Sequence, residues 1–283
     1  MRFRRHTSRR WPAVAGLLAV ATALVSWSQP GIAAEPFDHE YTGYGRLLAA
    51  YVRDGRVDYR SLAAERAALS AVARAFGEVA PDSEKAWTLD QRLAFWINTY
   101  NFFTLRAVLD HYPIRGGWLS LYPRNSIRQI DGVWSKLTWR VAGRDLTLDD
   151  IEHRILRPVY REPRIHFAIN CASLGCPPLR SSAYLAAQLE AQLDEAARTY
   201  LGSPQGAAVE HSTLAVTSIL KWYGADFVDR FARLGPAGRD AKESAIVAVI
   251  TTYGPARASA LARTPGVKIR FLDYDWSLND VAR

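Results

Sequence analysis

The segment from Asp90 to Arg106 is apolar around nearly the whole circumference of a helical wheel. A helix that is apolar on every face is buried on every face. The pattern therefore predicts a helix in the protein core, and His111-Tyr112-Pro113 marks its end, because a proline and the residue before it disfavour helix continuation.

Other stretches carry apolar residues at helical spacing. Ser61 is in the position of an N-cap for the first of them. Thr147 and Asp150 have the spacing of a capping box and predict a helix through Leu156, which Pro158 ends. The remaining predicted helices cover 59–79, 182–201, 218–233 and 239–252.

Alternation of apolar and polar residues indicates hairpins at 136–146 and 207–217, and Val267 to Phe271 predicts a last strand. A short apolar strand is expected over 165–170. Helices outnumber strands, and the strands form hairpins rather than βαβ units. The pattern therefore predicts an α+β fold, helix-rich with small antiparallel hairpins. Since no segment is long enough to be an interdomain linker, we expect a single domain over 35–283.

The first 34 residues have the three parts of a secretion signal. Five arginines and no acidic residue come first, the apolar run Ala13 to Val25 follows, and small residues at 31–34 end the segment. The run is shorter than the roughly 20 residues of a membrane-spanning helix, which favours a cleaved signal peptide over an uncleaved anchor. Arg9-Arg10 give it weak twin-arginine character. We expect a periplasmic or secreted protein without an integral membrane segment after cleavage.

Most of the net positive charge lies in this leader. The chain has 36 Lys and Arg against 28 Asp and Glu, a net charge of +8. Without the five leader arginines, 31 basic residues face 28 acidic ones, which leaves +3. The sequence also has no basic helix with interleaved aromatic residues, so we expect no nucleic acid as a partner.

The residues most able to carry chemistry are concentrated in segment 166–178, which contains both cysteines of the chain. Cys171 lies at the end of the predicted strand, where active-site residues are often found. A cysteine nucleophile needs a base, and the base needs an orienting group. The available bases are His153 and His166, and the available orienting groups are Asn98 and Glu152. This set predicts a thiol hydrolase or acyl transferase.

Two other interpretations use the same segment. Exported proteins with an even number of cysteines often form disulfides. A Cys171–Cys176 disulfide would suit a non-catalytic envelope binding or assembly domain, with Asn98 and His166 as buried hydrogen-bond anchors. A metal site from His166, Cys171, Cys176 and His153 is less favoured, because zinc sites usually combine two ligand clusters. We expect no metal and no cofactor.

The sequence offers a few further indications about ligands. It has no phosphate-binding glycine loop, GxSxG elbow or HExxH helix, which argues against nucleotide-dependent and serine-hydrolase chemistry. Trp118, Tyr122 and Trp134 lie in a glycine-containing loop and can line a groove. The expected ligand is a small molecule, a glycan or a peptide.

Several ordered segments resemble the domain-of-unknown-function family 547 (DUF547), and the chain is similar to an exported bacterial member. The segments are 94–101 (AFWINTYN), 150–157 (DIEHRILR), 166–178 (HFAINCASLGCPP), 221–227 (KWYGADF) and 271–279 (FLDYDWSLN). The resemblance spans residues 40–280 and implies one domain type but no activity. It makes Asn98, Asn101, Glu152, His153, His166, Cys171 and Cys176 motif positions. Among the motif residues, we expect Asn101, Asn170, Trp222 and Tyr223 to contribute to ligand binding.

Overall fold

The computed structural model describes residues 37–117 and 119–281. The predicted export signal and Trp118 therefore lie outside the described residues. The α-helices are α1 (Thr42–Tyr51), α2 (Tyr59–Leu62), α3 (Arg66–Gly77), α4 (Leu89–Leu109), α5 (Leu189–Leu201), α6 (Ser218–Tyr223), α7 (Val228–Phe231), α8 (Ala241–Tyr253) and α9 (Ala256–Ala262). A π-helix covers Asp150–Tyr160, and short 3-10 helices cover Ser83–Ala86, Ile127–Gln129, Pro163–Phe167, Ala186–Gln188, Gly224–Phe227 and Ala232–Leu234.

The strands form small sheets of two or three strands. They are β1 (Val52–Arg53), β2 (Arg56–Val57), β3 (Trp139–Val141), β4 (Arg144–Leu146), β5 (Ala207–Glu210), β6 (Thr213–Val216) and β7 (Lys268–Phe271). The pairs β1–β2, β3–β4 and β5–β6 are antiparallel hairpins, and β7 adds to β6 in parallel. The fold is α+β and helix-rich, as predicted.

Helix α4 lies at the centre of one of the two apolar clusters of the fold. Thr88 and Gln91 form a capping box at its start, with each side chain accepting from the backbone N–H of the other residue. Almost all of its residues from Leu93 to Val108 are buried. The sequence prediction of an all-round buried helix is confirmed.

The described residues from Phe37 onward form one compact unit with two apolar clusters. One cluster surrounds α4, and the other lies around α8 and the β5–β6–β7 sheet. Phe167 belongs to the second cluster, whereas its neighbours Ile165 and Ala168 belong to the first. Segment 165–168 therefore lies between the two clusters. Within the described ranges, no helix is both long and apolar enough to cross a membrane.

The capping box predicted at Thr147 and Asp150 is confirmed, since each side chain bonds the backbone of the other. The helix that follows was predicted to end at Pro158, and this is wrong. It continues to Tyr160 as a π-helix. Proline has no N–H to donate, so Pro158 cannot make the backbone hydrogen bond to the residue four positions earlier that an α-helix requires. The wider π-helix nevertheless includes Pro158 and continues past it.

Three other predictions need correction. Residues 165–170 do not form a strand, because Pro163 opens a 3-10 helix over Pro163–Phe167 and irregular chain follows. The predicted helix 59–79 is divided into α2 and α3, and Asp58 rather than Ser61 is the N-cap. The segment 218–233 is a succession of short helices, and α1, α9 and β1–β2 were not predicted.

Candidate active site

A cleft of about 540 Å³ brings together segments that are far apart in the sequence. The π-helix contributes Glu152 and His153, and the chain after it contributes His166, Cys171 and Cys176. Helix α6 contributes Trp222 and Tyr223, and the C-terminal segment contributes Tyr274 and Trp276. Most of the predicted site residues therefore line one cleft.

The loop that carries Cys171 is fixed from below by asparagine side chains. Asn170 accepts from the backbone N–H of Ala172 (2.8 Å) and donates to the carbonyl oxygen of Pro177 (2.7 Å). Ala172 has a φ of 59°, a left-handed conformation that costs a residue with a Cβ about 1–2 kcal/mol. The bonds to Asn170 and Asn279 hold this backbone in place. Cys171 is thus presented on a tight, strained turn.

Two asparagines of α4 hold the surrounding chain. Asn101 accepts from the backbone N–H of Asn170 (2.7 Å) and donates to the carbonyl of Ala168 (3.0 Å). Asn98 makes the same pair of bonds with the backbone of Tyr184, at 2.9 and 2.8 Å. Both amides are buried and neither lines the cleft. The structure therefore places Asn98 and Asn101 as anchors of the backbone, and neither bonds a histidine within the described part of the chain.

The C-terminal segment pairs with the cysteine loop. The backbone N–H groups of Leu174 and Gly175 donate to the carbonyls of Ser277 and Asp275, both at 2.8 Å. A Cβ at Gly175 would lie 2.9 Å from the backbone nitrogen of Asp275, so this close approach requires glycine. The pairing brings the Tyr274 hydroxyl to 3.1 Å from the Cys171 sulfur.

The Cys171 sulfur has several hydrogen-bonding neighbours. The Ser173 hydroxyl lies 3.1 Å from this sulfur. The Cys176 thiol donates to the same sulfur, with the two sulfur atoms 2.7 Å apart. Burial alone would raise the pKa of the Cys171 thiol. The hydrogen bonds from Cys176, Ser173 and Tyr274 stabilise the thiolate more and lower this pKa to about 7. Burial and the adjacent Cys171 thiolate raise the pKa of Cys176.

The two cysteines are free thiols in the structure. Their sulfurs are 2.7 Å apart, beyond the roughly 2.05 Å of a disulfide bond. The predicted Cys171–Cys176 disulfide is therefore not formed here. The geometry instead gives a low-pKa thiol next to a protonated, more deeply buried one.

His166 is buried and held by a carboxylate. Its Nε2 lies 2.8 Å from Oδ2 of Asp226, and its ring stacks on Tyr223 with centroids 4.1 Å apart. Arg157 donates two hydrogen bonds to the same carboxylate, at 2.6 and 2.9 Å. Burial raises the pKa of Asp226, but the bonds from His166 and Arg157 outweigh it and hold this pKa well below its usual range.

The Nδ1 atom of His166 has no hydrogen-bond partner among the residues that the structure describes, and the ring lines the cleft. One ring nitrogen is thus fixed by a carboxylate, and the other is left for the cleft. This is the arrangement of an oriented general base. The sequence placed Arg157 and Asp226 in motifs but assigned them no role, because their contact joins residues 69 positions apart.

Glu152 and His153 occupy different environments on the π-helix. Glu152 is buried. The pKa values of Tyr100 and Tyr223 are raised mainly because the two tyrosines are themselves buried, and next because the charge of Glu152 lies nearby. Half-exposed His153 lies 3.2 Å from Arg157 and 3.7 Å from Asp149. His166 is therefore held more firmly than His153. Glu152 contacts Tyr223, the tyrosine on which the His166 ring stacks.

Only some of the residues predicted to bind a ligand line the cleft. Trp222, Tyr223 and Trp134 line the cleft, whereas Asn170 supports the loop beneath it. Tyr122 contacts the ring of Trp276 at the cleft edge. Over 37–117 and 119–281, no group of three or more His, Cys, Asp or Glu side chains is placed to hold a metal ion.

Residues 85–201, less than half of the 283-residue chain, match the model of the family described as "Protein of unknown function, DUF547". This match supports the family resemblance and contains the first three motif segments. The segments with Asp226 and Tyr274 lie beyond it, although both complete the same cleft. No curated protein matches the chain, and no solved structure matches it.

Proposed function

We propose that this chain is a cysteine-dependent hydrolase or acyl transferase, with Cys171 as nucleophile and His166 as general base. One observation carries the proposal. A thiol with a pKa of about 7 opens into the same cleft as a histidine that is oriented by a carboxylate. At neutral pH about half of such a thiol is ionised, and the thiolate is the reactive form.

The reaction divides into two steps. The Cys171 thiolate attacks the carbonyl carbon of an ester, thioester or amide, a C–S bond forms, and the leaving group departs with a proton from His166. Water or an acceptor hydroxyl or amine then gives its proton to His166 and attacks the thioester. This second attack breaks the C–S bond and restores the thiolate. Water as acceptor gives hydrolysis, and another nucleophile gives transfer.

The side chains around these two groups have supporting roles. Asp226 orients His166, and Arg157 fixes Asp226. Tyr274, Ser173 and Cys176 stabilise the thiolate. Glu152, which the sequence suggested as an orienting group, acts through Tyr223, and Asp226 takes the orienting role.

The test uses a panel of 4-nitrophenyl esters and aminoacyl 4-nitroanilides with the purified protein. We expect turnover or a burst, with an acyl group on the peptide that contains Cys171. Cys171→Ala should lose on the order of 10³-fold or more in rate. Cys176→Ala is the comparison, because it removes one donor to the thiolate but leaves the nucleophile, so we expect a much smaller loss of rate. If Cys171→Ala turns over as fast as the wild type, the proposal is wrong.

The alternative is a non-catalytic envelope binding domain. It pairs the fold with a Cys171–Cys176 disulfide, whereas the two sulfurs lie 2.7 Å apart in the structure, beyond the length of a disulfide bond. A thiol count on unfolded protein, purified without reductant, separates the two. Two free thiols support the enzyme, and none supports the binding domain.

We further propose that the protein acts in the periplasm or outside the cell. The basic, apolar and small-residue parts of 1–34 support this. Cell fractionation and N-terminal sequencing test it. Recovery of a shortened chain from the periplasm or medium is expected, and an intact Met1 in the cytoplasm would contradict it.

A further inference from the structure

A continuous aromatic surface begins at the candidate nucleophile. The Tyr274 hydroxyl lies 3.1 Å from the Cys171 sulfur, and the Tyr274 ring packs against Trp222 and Trp276 with centroids 4.9 and 4.6 Å away. Trp222 is 47% exposed, which is unusual for so large an apolar side chain. We call Tyr122, Trp134, Trp222, Tyr274 and Trp276 the aromatic wall.

Arg128 is held among the rings of this wall. Its guanidinium carbon lies 4.4 Å from the ring centre of Tyr122, 4.8 Å from that of Trp276 and 5.6 Å from that of Trp134. One Nη donates to the Tyr122 hydroxyl at 2.7 Å. Aromatic rings hold a guanidinium by its faces. The remaining N–H groups along its edge stay available, and the residue lines the cleft.

Arg128 differs from the structural arginines because it has no carboxylate partner within the described part of the chain. Arg157 is bonded to Asp226, and Arg164 is bonded to Glu162, Glu190 and Asp194. Three carboxylates line the cleft: Asp131 and Asp149 face Lys136 and His153 at 2.9 and 3.7 Å, and buried Glu152 lies 3.9 Å from His153. Arg128 is thus oriented by the wall but keeps an unneutralised charge in the cleft.

We propose that Arg128 and the aromatic wall form a substrate subsite for an anionic group, a carboxylate or phosphate, attached to a segment that packs on aromatic faces. The inference deepens the proposed function, because it assigns a substrate class to the cleft of Cys171. A guanidinium binds carboxylates and phosphates by two parallel hydrogen bonds. Aromatic rings bind the apolar faces of sugars and peptide side chains.

The experiment labels Cys171 with matched pairs of alkylating reagents. The reagents are N-iodoacetyl-glycine and N-iodoacetyl-aminohexanoate, each compared with its neutral primary amide. In every case the thiolate displaces iodide and an S–C bond forms. The two chain lengths place the carboxylate at different distances from the sulfur. The dependence of rate on reagent concentration separates reagent binding from the alkylation step.

We expect one of the anionic reagents to label Cys171 at least about 10-fold faster than its neutral amide, through tighter binding. Arg128→Ala should remove this preference and leave the rate with the neutral amide within about twofold. Arg128→Lys should keep part of it, because the charge remains but the planar stack does not. Arg124→Ala is the matched control, since Arg124 is exposed on the same loop and, among the described residues, bonds only the backbone of Gly116.

Three results contradict the inference in distinguishable ways. If anionic and neutral reagents label equally in the wild type, Arg128 has only a structural role. If Arg128→Ala slows both reagents equally, the loop has been disturbed and no anion site exists. If Cys171 reacts with none of the reagents, the proposed function fails and takes this inference with it. Repetition with N-iodoacetyl-aminoethyl phosphate and its alcohol shows whether phosphate or carboxylate is preferred.

Discussion

Two faces of the cysteine loop use their polar groups in opposite ways. On the inner face, Asn101 and Asn170 place both ends of their amides on backbone groups of segment 168–177, and Asn98 does the same with the backbone of Tyr184. On the outer face, the Cys171 thiol and one nitrogen of His166 open into a cleft. Buried amides must be satisfied, because each unpaired group costs about 1–3 kcal/mol. The Cys171 thiol and the His166 ring, in contrast, are placed where a ligand in the cleft can contact them. The comparison separates the residues that hold the fold from the residues that we propose for the chemistry.

The largest expected effect concerns the inner face. Asn101→Ala leaves the buried N–H of Asn170 and the carbonyl of Ala168 without their partner. We expect the free energy of unfolding to fall by about 2–4 kcal/mol, since two buried groups lose their bonds. Chemical denaturation measures the change. A loss below about 0.5 kcal/mol would show that water or another group replaces the amide, and the distinction between the two faces would be lost.

The substitution Asp226→Asn tests the outer face, because Asp226 bonds His166. The neutral amide no longer offers a carboxylate to orient His166 and to pair with Arg157, so we expect the rate of Cys171-dependent turnover to fall by on the order of 10²-fold. Asp229→Asn is the control, because it changes a carboxylate on the neighbouring helix α7 that does not line the cleft. Equal activity of wild type and Asp226→Asn would remove His166 from the mechanism.

The same substitution tests a pH dependence of stability. The pKa of Asp226 is lower in the folded protein than in the unfolded chain. Its ionised form therefore stabilises the fold at pH values above the unfolded pKa of about 4, and this contribution is lost as the pH falls towards the folded value. Denaturation between pH 6 and 3 should show a steeper loss for the wild type than for Asp226→Asn. Parallel curves would contradict the assignment.

The smallest expected effect comes from Tyr274→Phe. It removes the hydroxyl that lies 3.1 Å from the Cys171 sulfur but keeps the ring on Trp222 and Trp276. We expect the pKa of Cys171 to rise by about 0.5–1 unit, the size of one neutral hydrogen bond to a thiolate. Titration of the thiolate absorbance in the ultraviolet measures it. An unchanged pKa would show that the tyrosine does not contribute.

The sequence was informative where local pattern decides structure. The apolar circumference of 90–106 predicted α4, and Thr147 with Asp150 predicted the start of the π-helix. Segment 166–178 identified Cys171 as the reactive candidate. The run Ile165 to Asn170 was misassigned as a strand, because a short apolar run fits either a strand or a buried helical turn.

Other features of the site depend on contacts that no local pattern contains. The bond from His166 to Asp226 spans 60 positions, and that from Cys171 to Tyr274 spans 103. Asn98 was a candidate orienting group, yet its amide is used by the backbone of Tyr184, 86 positions away. Arg128 had no sequence signal, because its significance lies in the absence of a carboxylate partner among the described residues.

The proposed mechanism depends above all on an activated thiol at Cys171. Its most direct test is the rate of alkylation by iodoacetamide as a function of pH, with the site of modification identified by peptide mass and Cys176→Ala as a comparison. We expect a midpoint near pH 7 for Cys171 in the wild type and a higher midpoint in Cys176→Ala, which loses one donor to the thiolate. A midpoint at or above the ordinary cysteine value of about 8.5 would contradict the claim.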